Sequence, residues 1–144
     1  MSFVRVWLHA VWGTKNRHHF LTPEIRKVVM NHIKSNAKIK GIYIDRINGH
    51  TEHLHCLMSL NADITIAKTM QLIKGESAYW INKEKIVPDK FEWADAYYVN
   101  SVSESLLGIV RRYIDNQEEH HRKKTVAEEY ESLLSTYKFP DKAE

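Results

Sequence analysis

Two histidines separated by one residue are the clearest candidates for chemistry in the sequence. His53, Leu54 and His55 lie in a stretch that alternates apolar and polar side chains, as a β-strand does. In a strand, side chains two residues apart point to the same face, so the two imidazoles project together while Leu54 points into the opposite layer. Two neighbouring imidazoles can bind one metal ion, and they can equally be surface histidines on an open sheet face. The spacing leaves both interpretations open.

A second candidate pair lies near the end of the sequence, at Tyr113 and Gln117. Residues four apart in a helix share one side, and these two continue a helical pattern that includes Leu106 and Val110. A phenol can act as a covalent nucleophile, and an amide oxygen can bind a hard cation. An aromatic residue in an apolar stripe usually belongs to the hydrophobic core. Periodicity alone therefore favours a structural role for Tyr113.

The segments that must position these residues alternate between strand and helix patterns. Apolar runs and regular alternation predict strands over residues 3–12, 42–48, 53–60 and 97–102. Helix starts are predicted at Thr22 with Pro23, at Asp63 or Thr65, and at Ser103. The first six elements thus follow the order strand, helix, strand, strand, helix, strand. This order predicts an α+β fold, a ferredoxin-like βαββαβ sandwich with an antiparallel sheet, followed by a C-terminal helix that carries the tyrosine.

Length and composition indicate one globular domain. The 144 residues are 43% hydrophobic and 27% charged, without internal repeats or a Gly/Ser/Pro-rich linker. We expect the folded domain over residues 1–124 and a charged helical tail over residues 125–144. The absence of an apolar run of about 18 residues argues against a transmembrane helix. The single cysteine, Cys56, excludes an internal disulfide framework, falls on the face opposite the histidines, and suggests a cytoplasmic location.

Four segments, taken together, resemble the single-tyrosine HUH transposases of small bacterial insertion sequences and their REP-associated relatives. They are residues 9–17 (HAVWGTKNR), 52–57 (EHLHCL), 73–77 (IKGES) and 110–121 (VRRYIDNQEEHH). They are similar, in order, to the family's opening strand, its His-hydrophobic-His strand, its central helix and its tyrosine helix. Each segment alone is a weak signal, but the four in this order over residues 3–124 are specific.

The resemblance implies a role for each candidate residue. Tyr113 corresponds to the nucleophile, and His53, His55 and Gln117 correspond to the ligands of a divalent metal, Mg²⁺ or Mn²⁺. The implied activity is transposition, by cleavage and rejoining of single-stranded DNA with hairpin-forming ends through a 5′-phosphotyrosine link. The resemblance also implies a homodimer, and it leaves open whether the tyrosine and histidines of one site come from the same chain. It overrides the core interpretation of Tyr113.

Two departures from the family pattern stand beside the histidines, and neither removes a chemical group. Residues 49–52 replace the more familiar Pro-Asp-type approach to the histidine strand, and Cys56 stands where a larger apolar residue is common. The net charge is +3, from 21 basic and 18 acidic residues, which permits nucleic-acid binding without requiring it. Candidates for contacts to the DNA backbone, each equally explained as a solvated surface residue, are Lys15, Arg17, Lys74, Arg111 and Arg112.

Three other functions are compatible with parts of this pattern. A domesticated relative that processes hairpin-forming chromosomal repeats would use the same residues on another substrate. A non-catalytic nucleic-acid-binding module is a second alternative, because ferredoxin-like sheets also bind RNA, but the sequence lacks an obvious run of exposed sheet aromatics. A small metalloprotein without a DNA role is a third, and it leaves the spacing of Tyr113 and Gln117 unexplained.

Overall fold

The computed structural model of the protein describes residues 2–117 and residue 128. Within these residues the elements are β1 (Trp7–Thr14), α1 (Pro23–Ile39), β2 (Tyr43–Gly49), β3 (His53–Ser59), α2 (Ile66–Lys83), β4 (Trp93–Val102) and α3 (Leu107–Asp115). Short 3-10 turns follow β1 and precede α3, over Lys15–Arg17 and Glu104–Leu106. The order of strands and helices is the predicted one. The tail predicted over 125–144 lies, apart from residue 128, outside the described residues.

The four strands form one antiparallel sheet in the order β2-β3-β1-β4. With its helices, this sheet confirms the predicted α+β, ferredoxin-like arrangement. β3, which carries His53 and His55, lies inside the sheet between β1 and β2. Its ladder with β1 runs from His53 opposite Gly13 to Ser59 opposite Trp7. Hydrogen bonds on both sides therefore fix the backbone beneath the two histidines.

Two strands differ in extent from the sequence prediction. β1 begins at Trp7 and not at residue 3, because Phe3 and Val4 are exposed, by 90% and 49%, and lie outside the sheet. β4 begins at Trp93, earlier than predicted, because its ladder with β1 continues through a register shift until Trp93 pairs with Thr14. Strand propensity reports which residues suit a pleated surface, whereas the limits of a strand depend on the length of its partner.

Alternation along β3 assigns its side chains to two layers. Leu54, Cys56 and Met58 are fully buried in the larger core, beneath α1 and α2. Cys56 thus lies on the face opposite the histidines, as predicted, and burial raises the pKa of its thiol. Leu57 faces the other way, into a smaller cluster with Val110 and other apolar residues of α3. The side of the sheet that carries the histidines is therefore the side covered by α3.

The sequence signals for the first two helices are confirmed. Pro23 occupies the first turn of α1, where its missing N–H costs no hydrogen bond. α2 is capped by Thr65 and not by Asp63, since the Thr65 hydroxyl accepts a hydrogen bond from the backbone N–H of Lys68 at 3.0 Å.

α3 begins later than predicted, and its buried side starts at Leu107 and not at Leu106. A 3-10 turn follows Ser103, whose side chain makes no capping hydrogen bond. The buried side of α3 consists of Leu107, Val110 and Ile114, whereas Leu106 is 43% exposed. The assignment of Leu106 to the apolar stripe is therefore wrong, because Leu106 ends the 3-10 turn and lies outside α3.

Candidate active site

The two histidines of β3 are buried side by side beneath α3. His53 is 4% exposed and His55 is fully buried, and their ring centroids lie 5.0 Å apart. Both rings project from one face because strand side chains alternate, as the sequence predicted. Their burial contradicts the alternative of two surface histidines on an open sheet face.

Gln117 reaches these histidines from a position just beyond α3. The helix ends at Asp115, Asn116 is its C-cap, and the side chain of Gln117 is fully buried. Its Oε1 lies 3.3 Å from Nε2 of His53, and its amide nitrogen donates to the carbonyl oxygen of Tyr113 at 3.4 Å. Gln117 and Tyr113 are thus in contact across one turn of the chain, as their spacing of four residues predicted.

The hydrogen bond from His53 to Glu52 indicates which nitrogen of the imidazole carries the hydrogen. Nδ1 of His53 lies 2.9 Å from Oε1 of Glu52, and a carboxylate only accepts, so the ring donates from Nδ1. A neutral imidazole then carries a lone pair on Nε2. That lone pair faces Oε1 of Gln117 at 3.3 Å. In that tautomer the two atoms are a pair of candidate ligands for one cation, whereas a ring protonated on both nitrogens donates from Nε2 to Oε1.

Tyr113 lies at the edge of the same cluster. Its ring centroid is 5.5 Å from that of His55, with the planes nearly perpendicular at 72°. The ring is partly buried and packs against the apolar residues beneath α3. The structure therefore brings the tyrosine and the histidine strand together within one chain.

Polar contacts from β2 hold α3 above the histidines. Asp45 accepts hydrogen bonds from Nε and Nη2 of Arg111, both at 2.8 Å, and these bonds raise the pKa of the guanidinium. The amide of Asn48 donates to the carbonyl oxygens of Ile114 and Asp115 at 3.0 and 3.2 Å. The two Asn48 hydrogen bonds satisfy carbonyl groups that the last turn of a helix leaves without intrahelical partners. β2 therefore anchors the helix that carries the tyrosine.

Two buried polar residues complete the cluster, and sequence reasoning missed both. Nε2 of His9, on β1, lies 2.9 Å from Nδ1 of His55, and the side chain is fully buried. Glu52, just before β3, is 7% exposed and contacts His53. A carboxylate adjacent to a candidate ligand is a signal that the sequence contains. The position of His9 becomes apparent only from the register of β1 on β3.

The five basic residues predicted to contact DNA have different surroundings, and three of them bind other groups of the chain. Lys15 pairs with Glu92 at 3.2 Å and holds the pKa of that carboxyl below its usual range. Lys74 donates to the carbonyl oxygens of Ala94 and Asp95 at 2.7 and 3.0 Å, and burial lowers its pKa. Arg111 is the third, bound to Asp45. The remaining two, Arg17 and Arg112, are exposed. Their part in DNA binding stays a prediction.

The model of the family "Transposase IS200 like" matches residues 2–117. The matched span contains all the described strands and helices and ends at Gln117. The chain belongs to the IS200-like transposase family. The resemblance inferred from the sequence is confirmed, and membership in this family makes the chain a DNA transposase.

This chain is similar to a transposase in sequence and to two solved structures in fold. The ISDra2 transposase TnpA of Deinococcus radiodurans is 26% identical over 115 residues, which cover 76% of this chain and 81% of that protein. A solved structure of a Deinococcus radiodurans R1 protein assigned as a transposase has a TM-score of 0.64 and 23% identity, covering 81% of this chain and 93% of that one. A REP-associated tyrosine transposase bound to a REP hairpin has a TM-score of 0.56 and 13% identity, covering 81% and 67%. The two solved structures share the fold of this chain.

Three side chains of the cluster offer donor atoms to a metal ion. Among residues 2–117 and 128, no group of three or more His, Cys, Asp and Glu side chains is arranged to hold a metal ion. The candidates present are two imidazoles and one amide oxygen, from His53, His55 and Gln117.

In the same part of the chain, no helix combines the length and the apolar character needed to cross a membrane.

Proposed function

We propose that this transposase cleaves and rejoins single-stranded DNA through a covalent bond to Tyr113, with Mg²⁺ or Mn²⁺ held by His53, His55 and Gln117. The main support is the convergence of these four side chains within one chain. The Tyr113 ring lies 5.5 Å from His55, and the amide oxygen of Gln117 lies 3.3 Å from His53. This convergence joins a potential nucleophile to a potential metal site.

The donor set fits a divalent cation. Nε2 of His53 and Oε1 of Gln117 lie 3.3 Å apart, and in the neutral ring that donates from Nδ1 to Glu52 the nitrogen offers a lone pair beside the amide oxygen. Neighbouring ligands of an octahedral ion with bonds of about 2.1 Å lie about 3 Å apart, so the separation of these two atoms suits one shared ion. The amide oxygen suits both Mg²⁺ and Mn²⁺, and imidazole is a common ligand of first-row transition metals, to which Mn²⁺ belongs. When bound, the ion polarises the scissile phosphate and stabilises charge on the displaced oxygen.

In this proposal Tyr113 carries the covalent step. Its hydroxyl oxygen attacks the phosphorus of a phosphodiester, and the bond from phosphorus to the 3′ oxygen of the leaving strand breaks as the new bond forms. The phenol loses its proton to solvent and the leaving oxygen takes one up, which yields a 5′-phosphotyrosine and a free 3′-OH. A second 3′-OH reverses the reaction, so the energy of the phosphodiester is retained and ATP is not required.

The proposed substrate is single-stranded DNA with hairpin-forming ends. The REP-associated structural neighbour is bound to a hairpin, and the net charge of this chain is +3. We further propose a homodimer in which each site is completed within its own chain, because His55 and Tyr113 of one chain already lie together. A domesticated relative acting on chromosomal repeats would use the same residues, so the substrate alone distinguishes the two functions.

A denaturing gel of the protein with labelled single-stranded DNA tests the proposal. DNA from the flanks of its own gene, and from chromosomal hairpin repeats, is incubated with Mg²⁺ or Mn²⁺. The expected result is a metal-dependent covalent adduct that is lost in Tyr113→Phe and His55→Ala. Tyr79→Phe is a matched control that retains the adduct, because Tyr79 is 64% exposed on α2. A folded wild-type protein that binds this DNA without forming an adduct favours the binding-module alternative.

A further inference from the structure

His9 is a buried histidine that lies against His55 and does not belong to the proposed ligand set. Its Nε2 is 2.9 Å from Nδ1 of His55, and the two rings lie 5.2 Å apart with a tilt of 33°. Its ring also packs edge-on against Tyr98 and Tyr113, with centroids 6.3 and 6.1 Å away. His9 is therefore held from several sides in contact with the nitrogen of His55 that faces β1.

The sheet register produces this contact. His9 pairs directly with Leu57 across the β1–β3 ladder, and His55 lies two residues along on the same face. Diagonal neighbours of this kind are within reach of long or aromatic side chains. Because both strands lie inside the sheet, the backbone positions of the two rings are fixed on both sides.

We propose that His9 is a positioning residue that holds His55 in the tautomer able to bind the metal through Nε2. This inference rests on the proposed function. A neutral imidazole has one N–H, and the His9–His55 hydrogen bond contains one hydrogen. With that hydrogen on Nδ1 of His55, its Nε2 presents a lone pair to a cation. With the hydrogen on Nε2 of His9, a neutral His55 carries its own hydrogen on Nε2 and cannot bind. The proposal assigns the acceptor role to Nε2 of His9, which then carries its own hydrogen on Nδ1.

Glu52 supports His53 in the same manner, but with a negative charge. Its carboxylate accepts from Nδ1 of His53 at 2.9 Å, and metal-binding histidines commonly use their second nitrogen in this way. A second carboxylate at position 9 would add negative charge where a DNA phosphate must bind, and like charges repel strongly in a buried site. A neutral imidazole orients His55 without that charge. The site therefore combines one charged and one neutral partner.

Two substitutions separate this role from simple packing. His9→Gln places an amide oxygen near the position of Nε2, where it can accept from Nδ1 of His55, whereas His9→Leu fills the space and accepts nothing. Isothermal titration of the DNA-free full chain with Mn²⁺ measures the consequence. We expect His9→Leu to bind about 10–100-fold more weakly than wild type, the usual effect of losing such a partner. His9→Gln keeps the hydrogen bond and is expected to remain within a factor of about 3.

The ¹⁵N spectra of the histidine rings in the metal-free protein provide a second readout. We expect His55, identified by comparison with His55→Ala, to be protonated on Nδ1 and not on Nε2 in wild type and His9→Gln. In His9→Leu the Nε2-protonated form should appear. If His9→Leu does not fold, His9→Phe takes its place.

The two readouts separate failure of this inference from failure of the proposed function. Wild-type affinity for Mn²⁺ in folded His9→Leu, or an Nε2-protonated His55 in the wild type, overturns the role of His9. A wild type that binds no Mn²⁺ overturns the proposed function instead, and the ring spectra then decide on their own whether His9 selects the tautomer.

Discussion

Replacing Arg111 with methionine is expected to loosen α3 from the sheet. Methionine keeps part of the aliphatic stem and removes the guanidinium that binds Asp45 through two hydrogen bonds of 2.8 Å. The side chain of Asp45 is only 6% exposed, so the substitution leaves a nearly buried carboxylate beside Arg46, whose side chain is 44% exposed. The helix that carries Tyr113 thereby loses its strongest polar contact with β2.

The size of the effect follows from the exposure of the two partners. A buried hydrogen bond to a charged group contributes about 1.5–3 kcal/mol, and an exposed ion pair contributes about 0–1 kcal/mol. Because the Arg111 side chain is 35% exposed and that of Asp45 is 6% exposed, we expect an intermediate value of about 1–2 kcal/mol. A change of that size alters an equilibrium by a factor of about 5–30, which is the expected increase in detachment of α3.

Hydrogen exchange of the α3 backbone amides measures this detachment directly, since exchange reports local opening. We expect amides of α3 to exchange about 5–30-fold faster in Arg111→Met, while those of α1 stay unchanged. Arg112→Met is the matched control, because Arg112 is exposed on the same helix. A double-mutant cycle with Asp45→Asn isolates the coupling of the pair. Equal exchange in Arg111→Met and Arg112→Met would refute the anchoring role of the ion pair.

Two further predictions concern stability. A Cβ at Gly49 would overlap the carbonyl oxygen of His53 in the β2–β3 hairpin, so Gly49→Ala is expected to lower the free energy of unfolding in urea by about 2 kcal/mol or more. Gly75→Ala, on an open part of α2, should raise it by about 0.5–1 kcal/mol, and equal stabilities would contradict this packing. Burial raises the pKa of Cys56 in the folded protein. The thiol of the unfolded chain, with an ordinary pKa of about 8.5, therefore ionises first, and the free energy of unfolding falls as the pH rises above about 8.5. Cys56→Ala should therefore lose less unfolding free energy than wild type between about pH 8 and pH 10, and identical pH slopes would exclude this linkage.

Local rules of chain geometry account for what the sequence predicted well. Alternation in a strand is enough to put His53 and His55 on one face and Cys56 on the other. A threonine before a helical pattern, as at Thr65, is enough to locate a helix start. These signals depend on neighbouring residues only, so they can be interpreted without knowledge of the rest of the fold.

The missed features depend on contacts between distant segments. His9 faces His55 only because of the β1–β3 register, and Asp45 meets Arg111 only because α3 crosses above β2. The shift of the buried stripe from Leu106 to the next residue follows from a 3-10 turn that periodicity does not reveal. Periodicity predicted an apolar contact for Tyr113, and its ring does pack against the small cluster beneath α3, while its role as nucleophile stays a prediction.

Mass spectrometry of the covalent adduct identifies the residue to which the DNA is joined. The adduct formed with single-stranded DNA and Mn²⁺ is digested with nuclease and protease, and the peptides are sequenced. We expect a nucleotide joined through its 5′ phosphate to Tyr113. A nucleotide on any other residue, or a folded protein that binds this DNA and yields no modified peptide, would contradict it.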